Sequence, residues 1–236
     1  MNINDFDNVI IYQFGKVASS TLKKSFEKHI RTSQVHHFHD SMIRQGKVLI
    51  INIVRNLFDR NISALFENIY SKPRNYFIMP GYINEGSLLR TNKTELDDIM
   101  DFFREVNIEK LLKIIYKNWY TRFNEQLNIN IFADPFDKEK KYNLYKVDNV
   151  TVLILRFEDI NEWENIFNNI FTTKITLENS NLTKHKKINE LYESFKKNYK
   201  YSENEINLIK NIDFMKKFYT ENEINSFINK YNKSND

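Results

Sequence analysis

The chain has no cysteine, only three prolines and only four glycines. The first absence excludes disulfides, thiol nucleophiles and cysteine metal ligands together, and a reducing compartment fits it. The scarcity of Pro and Gly leaves few places for a flexible linker, so composition marks no internal boundary and a single domain over residues 1–236 is expected. No apolar run reaches the ~18 residues that a membrane-spanning helix needs. The opening MNINDFDN is acidic and polar, where a signal peptide would be basic and then apolar. A cytoplasmic protein without stable membrane insertion is the expectation.

What is abundant is core material. Hydrophobic residues make up 41% of the chain and include 19 Phe and 13 Tyr, which excludes general disorder. The 35 basic and 31 acidic side chains are mixed along the sequence, for a net charge of +4. With no basic arm, broad nucleic-acid binding is disfavoured, while a small anion held by a few local cations remains compatible.

Hydrophobic spacing gives the elements. Asn8 to Phe14 (NVIIYQF) is a short β-rich run, and beyond the loop at Gly15 the segment from Ser20 carries Leu22, Phe26 and Ile30 at helical intervals. Gln34 to His39 reads as a second short strand. Val48 to Val54 (VLIINIV) is nearly continuous in apolar residues, as in a strand covered on both faces. Phe58, Ile62, Leu65, Phe66 and Ile69 then predict a helix. Asn75 to Asn92, with Pro80, Gly81 and Gly86, reads as an irregular surface excursion. Leu96 to Leu127 has helical spacing with a break near Asn107, and Ile129 to Tyr145 is turn-rich, with a hairpin expected around Asp134, Pro135 and Asp137. Val150 to Leu155 is the last buried strand, a helix follows it, and from Lys184 the chain reads as amphipathic helix. Strands alternating with helices predict an α/β fold with a central, mostly parallel sheet of four or five strands, flanked by helices, and a helical C-terminal part.

The first loop, KVASST, carries the first chemical signal. A strand that ends in small residues and feeds a helix aims backbone N–H groups at the crevice beyond it, which favours phosphate. Lys16 adds a full charge, and Ser19, Ser20 and Thr21 add hydroxyls, although the same hydroxyls would suit a helix cap. A nucleotide P-loop places its Lys directly before the hydroxyl residue; here Val17 and Ala18 intervene. That order, with no evident magnesium-binding aspartate strand, argues against a kinase or nucleotide hydrolase.

The arrangement resembles the 5′-phosphosulfate loop of sulfotransferases that use 3′-phosphoadenosine 5′-phosphosulfate (PAPS). Lys16, Ser19 and Ser20 fall on that family's positions, and Ala18 stands where it usually has Gly. The second unit, VRNLFDRNISALF, places Arg55 and Ser63 eight positions apart, the spacing at which sulfotransferases hold the donor's 3′-phosphate. Leu57 stands where the family commonly has Pro. Arg offers phosphate a planar fork of donors and Ser a hydroxyl; the competing reading is that Arg55 pairs with Asp59. LILRFEDI is similar to the family's late strand and acidic pair, with Glu158 and Asp159 expected to cap the next helix. KNWYTRFNEQLNINIFADPFDKEKKY, HFHD and FYTENEI resemble a bacterial branch of capsular polysaccharide synthesis proteins, so the resemblance runs roughly from Val9 to Ile224.

The resemblance implies a PAPS-dependent carbohydrate sulfotransferase with a P-loop-like three-layer fold and no metal. Its acceptor would be a hydroxyl of a capsular or surface polysaccharide precursor. Gly15, Lys16, Val17, Ala18, Ser19, Ser20 and Thr21 would cradle the donor's 5′ end, and Arg55 and Ser63 its 3′-phosphate. Lys16 would also stabilise the departing bridging oxygen. Lys184 and Lys187, in the basic run KHKK, would close over the donor unless that run is simply a solvated face. For the base, VHHFHD offers His37 and His39, which share a face if extended, with His36 on the other. A zinc site without an evident third ligand, ordinary surface histidines and Glu125 as base are the competing readings. A non-catalytic nucleotide-binding module of a capsule-building complex is the remaining alternative.

Overall fold

The computed structural model describes residues 1–13, 15, 17–36, 39–44, 46–70, 96–105, 112, 120–178 and 186–232, with the side chains of 67–70, 102, 105 and 186–188 outside that description. The helices are α1 (Ser19–Phe26), α2 (Leu57–Tyr70), α3 (Leu96–Glu105), α4 (Arg122–Leu127), α5 (Trp163–Ile170), α6 (Lys186–Asn198), α7 (Glu203–Asn211), α8 (Asp213–Phe218) and α9 (Glu221–Asn232). The strands are β1 (Asn8–Tyr12), β2 (Thr32–Val35), β3 (Val48–Val54), β4 (Tyr142–Val147) and β5 (Val150–Arg156). The chain groups into two compact units, Met1–Asn56 with Trp119–Leu182, and Leu57–Asn118 with Thr183–Asp236.

The first unit holds the sheet, in the order β2-β1-β3-β5-β4. β1 runs parallel to β2 and β3, and β3 parallel to β5, while β4 returns antiparallel on the edge. Every residue of β3 and β5 is buried, which is why VLIINIV and VTVLILR show no polar alternation. Phe26 of α1 meets the ring of Phe167 on α5 edge-on at 5.2 Å, and Phe123 of α4 stacks on Tyr12 at 4.8 Å. The architecture is thus α/β with a five-stranded, mostly parallel sheet flanked by helices.

Three boundaries differ from the periodicity. β2 ends at Val35, so His36 has already left the strand and His39 opens a 3₁₀ turn at Asp40–Met42. The hairpin turns at Asp148 and Asn149, with Asp148 left-handed at φ 51°, a conformation Asp tolerates. The Pro135–Asp137 segment is instead a loop braced by Asn143, whose amide donates to the Pro135 carbonyl and accepts from the Asp137 N–H. The helix after β5 begins as a 3₁₀ turn, Phe157–Glu162, before α5. The expected excursion at 75–92 and the middle of the expected helix at 96–127 lie outside the described residues.

The second unit is built on aromatic packing. Phe103 of α3 meets Phe195 and Tyr199 edge-on at 5.6 and 5.0 Å, and Phe66 of α2 meets Phe195 at 5.3 Å. Burying each such ring contributes on the order of 2 kcal/mol. Asp59 on α2 is held by Lys230 of α9 at 2.5 Å and by the Tyr231 hydroxyl. Among the described residues no helix is long and apolar enough to cross a membrane.

Candidate anion-binding site

The sheet order has a switch point between β1 and β3. From β1 the chain passes through α1 to β2 on one side, then returns to β3 on the other side of β1. The loops after β1 and β3 therefore leave the same C-terminal sheet edge from neighbouring strands, going opposite ways, which is where open α/β sheets bind ligands.

The first of these loops is conformationally specified. Gly15 has φ +91°, and no atom lies within 4 Å of where a β-carbon would stand, so the dihedral and not crowding calls for glycine. Val17 is fully buried and anchors the loop in the core. Ala18 is left-handed at φ 57°, ψ 27°, and occupies the position before α1 without any side-chain cap. Ser19 and Ser20 lie inside the first helical turn and so do not act as its cap.

Among the described residues the backbone N–H groups of Val17, Ala18, Ser19 and Ser20 meet no acceptor, while that of Thr21 turns back to the Ala18 carbonyl at 3.1 Å. An uncapped helix end with consecutive unspent donors carries a partial positive charge and suits an anion. Gln34 of β2 donates to the Ser19 hydroxyl oxygen at 2.9 Å, and Ser19 is only 6% exposed.

The second loop brings Arg55 to the same edge, directly after β3. Its guanidinium lies over the Phe157 ring, 4.2 Å from the centroid, so the aromatic face supports its flat side. The neighbouring Asn56 is fixed by Glu158, whose Oε1 accepts from the Asn56 backbone N–H at 2.9 Å and from its amide at 2.7 Å. Asp159 accepts two hydrogen bonds from buried Arg156, at 2.6 and 3.0 Å. Neither acid makes a cap: Glu158 braces the Arg55 turn and Asp159 closes the end of β5, because the 3₁₀ turn directs them back toward the strand ends.

The structure thus brings Gly15, Val17, Ala18, Ser19, Ser20, Thr21 and Arg55 to one sheet edge within the first unit. Ser63 is half-buried on α2 in the second unit, where Asp59, the expected rival partner of Arg55, holds Lys230 and Tyr231. Lys16, His37 and Lys184 lie outside the described residues, and Lys187 stands in the first turn of α6 with its side chain outside them. His39 and Glu125 are exposed. Residues that the sequence reading left without a role are Gln13, Gln34 and Asn56. A polar Gln ending an otherwise apolar strand was the one signal for Gln13. Comparison of the chain with family models, with curated proteins and with solved structures gave no match.

Proposed function

We propose that the first unit is a P-loop-like nucleotide cradle and that the protein transfers a sulfuryl group from PAPS to a carbohydrate hydroxyl. The observation that carries this reading is the uncapped start of α1, whose Val17, Ala18, Ser19 and Ser20 N–H groups meet no acceptor among the described residues, after the strand next to the one that presents Arg55. A helix end built without its own cap fits a ligand that supplies the negative charge. The loop order Lys-Val-Ala-Ser-Ser favours the sulfotransferase resemblance over a magnesium nucleotide site.

In this reading the acceptor oxygen attacks sulfur in line, the bond from sulfur to the bridging phosphate oxygen breaks, and adenosine 3′,5′-bisphosphate leaves. Lys16 offsets the charge that gathers on that oxygen. His37 or His39 takes the acceptor's proton, and the exposure of His39 is compatible with contact to a polymeric substrate. Arg55 is the first unit's ligand for the 3′-phosphate.

The test is incubation with PAPS carrying labelled sulfur and a panel of bacterial polysaccharides and their precursors. Label is expected in a saccharide, with bisphosphate formed in equal amount. Bisphosphate binding without transfer across the panel would favour the non-catalytic module, and dependence on magnesium and ATP would favour a kinase.

A further inference from the structure

We propose that Gln13 and Gln34 are positioning residues that clamp the two ends of the first loop, so that the Ser19 proton and the N–H groups of Val17 and Ala18 are presented to a bound phosphate or sulfonate. This rests on reading the loop as the seat of the donor's 5′ end.

At the near end, the amide of Gln13 has a defined orientation. Its Oε1 accepts from the Gly15 N–H at 3.0 Å, so its Nε2 must be the group that faces His36, 3.1 Å from Nε2 and 3.3 Å from Nδ1 of the ring. An amide nitrogen only donates, so the ring nitrogen that receives it carries no proton, and His36 stands behind Gln13 as an acceptor. Gln13 is 2% exposed, and this polar chain from His36 through Gln13 to Gly15 fixes where the loop begins.

At the far end, Gln34 fills one lone pair of the Ser19 hydroxyl. The proton of that hydroxyl has no acceptor among the described residues, in a side chain that is nine-tenths buried. A buried donor left unspent needs a partner, and the bond it already receives polarises it toward giving its proton away. β2 and the residue just past its end supply both anchors, because β2 lies beside β1 with Ile11 opposite Gln34 and Tyr12 opposite Val35. Gln34 and His36, two residues apart, reach Ser19 and Gln13 respectively.

The experiment is calorimetric titration of the full chain with two probes, adenosine 3′,5′-bisphosphate and 3′-AMP, which lacks the 5′-phosphate. Gln34→Met keeps the side-chain length and removes the amide; Gln34→Glu can only accept and would draw the Ser19 proton inward. Losing one neutral hydrogen bond's worth of alignment corresponds to about a fivefold weaker bisphosphate affinity for Gln34→Met. A larger loss is expected for Gln34→Glu, with 3′-AMP affinity unchanged in both. His36→Phe, at a half-buried position, tests the other end by removing the acceptor of the Gln13 amide, and should also weaken the bisphosphate selectively.

Melting temperatures of the same samples separate the alternatives. If Gln34 merely ties β2 to α1, Gln34→Met lowers the melting temperature and leaves both affinities as they were, which overturns the clamp. Equal losses for both probes overturn it too. Wild-type protein that binds neither probe would overturn the donor-loop reading itself, and the clamp with it.

Discussion

Ala18 shows how a single residue reports the loop's requirement. It sits at φ 57°, where the β-carbon of an L-residue crowds the following carbonyl at a cost of roughly 1–2 kcal/mol. Gly would adopt this left-handed geometry without that penalty. Ala18→Gly is therefore expected to leave the loop in place and change stability by no more than about 1 kcal/mol, with relief of strain offset by the freer unfolded chain. Urea unfolding checks it, and a loss of several kcal/mol would mean the loop does not adopt this conformation. Of the residues predicted from sequence, Gly15 and Ala18 were legible as special because glycine and its replacements mark unusual dihedrals. Gln34 was not, since a half-buried glutamine on a short edge strand looks like any solvated polar residue until its partner is known.

Among elements, the junction after β5 is held by buried polar contacts. Arg156 and Asp159 are 5% and 8% exposed at their side chains, and the indole of Trp163 donates to the Arg156 carbonyl at 3.0 Å. Breaking a buried pair from one side leaves an uncompensated charge, so Asp159→Asn should cost about 3–5 kcal/mol by chemical denaturation. A loss below about 1 kcal/mol would show that the pair is hydrated. Since Phe157 and Glu158 of the same turn support Arg55 and Asn56, a weaker affinity for adenosine 3′,5′-bisphosphate is expected alongside. This turn also shows where sequence reading stops. The strands β3 and β5 were legible because continuous apolar runs have one comfortable place, the middle of a covered sheet. The acids of RFEDI looked like helix caps because caps are the commonest use of such residues, whereas their actual partners, Asn56 and Arg156, depend on β5 lying beside β3.

At the scale of the whole molecule, three buried tyrosines set the response to alkali. Burial pushes the phenol of Tyr201 well above its usual range and raises those of Tyr12 and Tyr199 as well. In the unfolded chain these groups lose their protons near pH 10, while in the folded protein they keep them. The stability they contribute is thus whole below about pH 10 and declines as pH rises beyond it. Tyr201→Phe removes one proton from that balance and the bond from its hydroxyl to the Phe58 carbonyl. It should lower stability at neutral pH by about 1 kcal/mol and flatten the alkaline decline. An unchanged slope above pH 10 would show that Tyr201 ionises in the folded state.

The central claim is that the edge bearing the uncapped α1 and Arg55 holds the adenosine bisphosphate part of a sulfuryl donor. Its most direct measurement is calorimetric titration of wild type and Arg55→Ala with adenosine 3′,5′-bisphosphate, set against ADP with magnesium. The expected result is tighter binding of the bisphosphate by wild type, weakened about tenfold or more by Arg55→Ala, as for loss of a charged hydrogen bond. Preference for magnesium ADP, or a bisphosphate affinity that Arg55→Ala leaves unchanged, would contradict it.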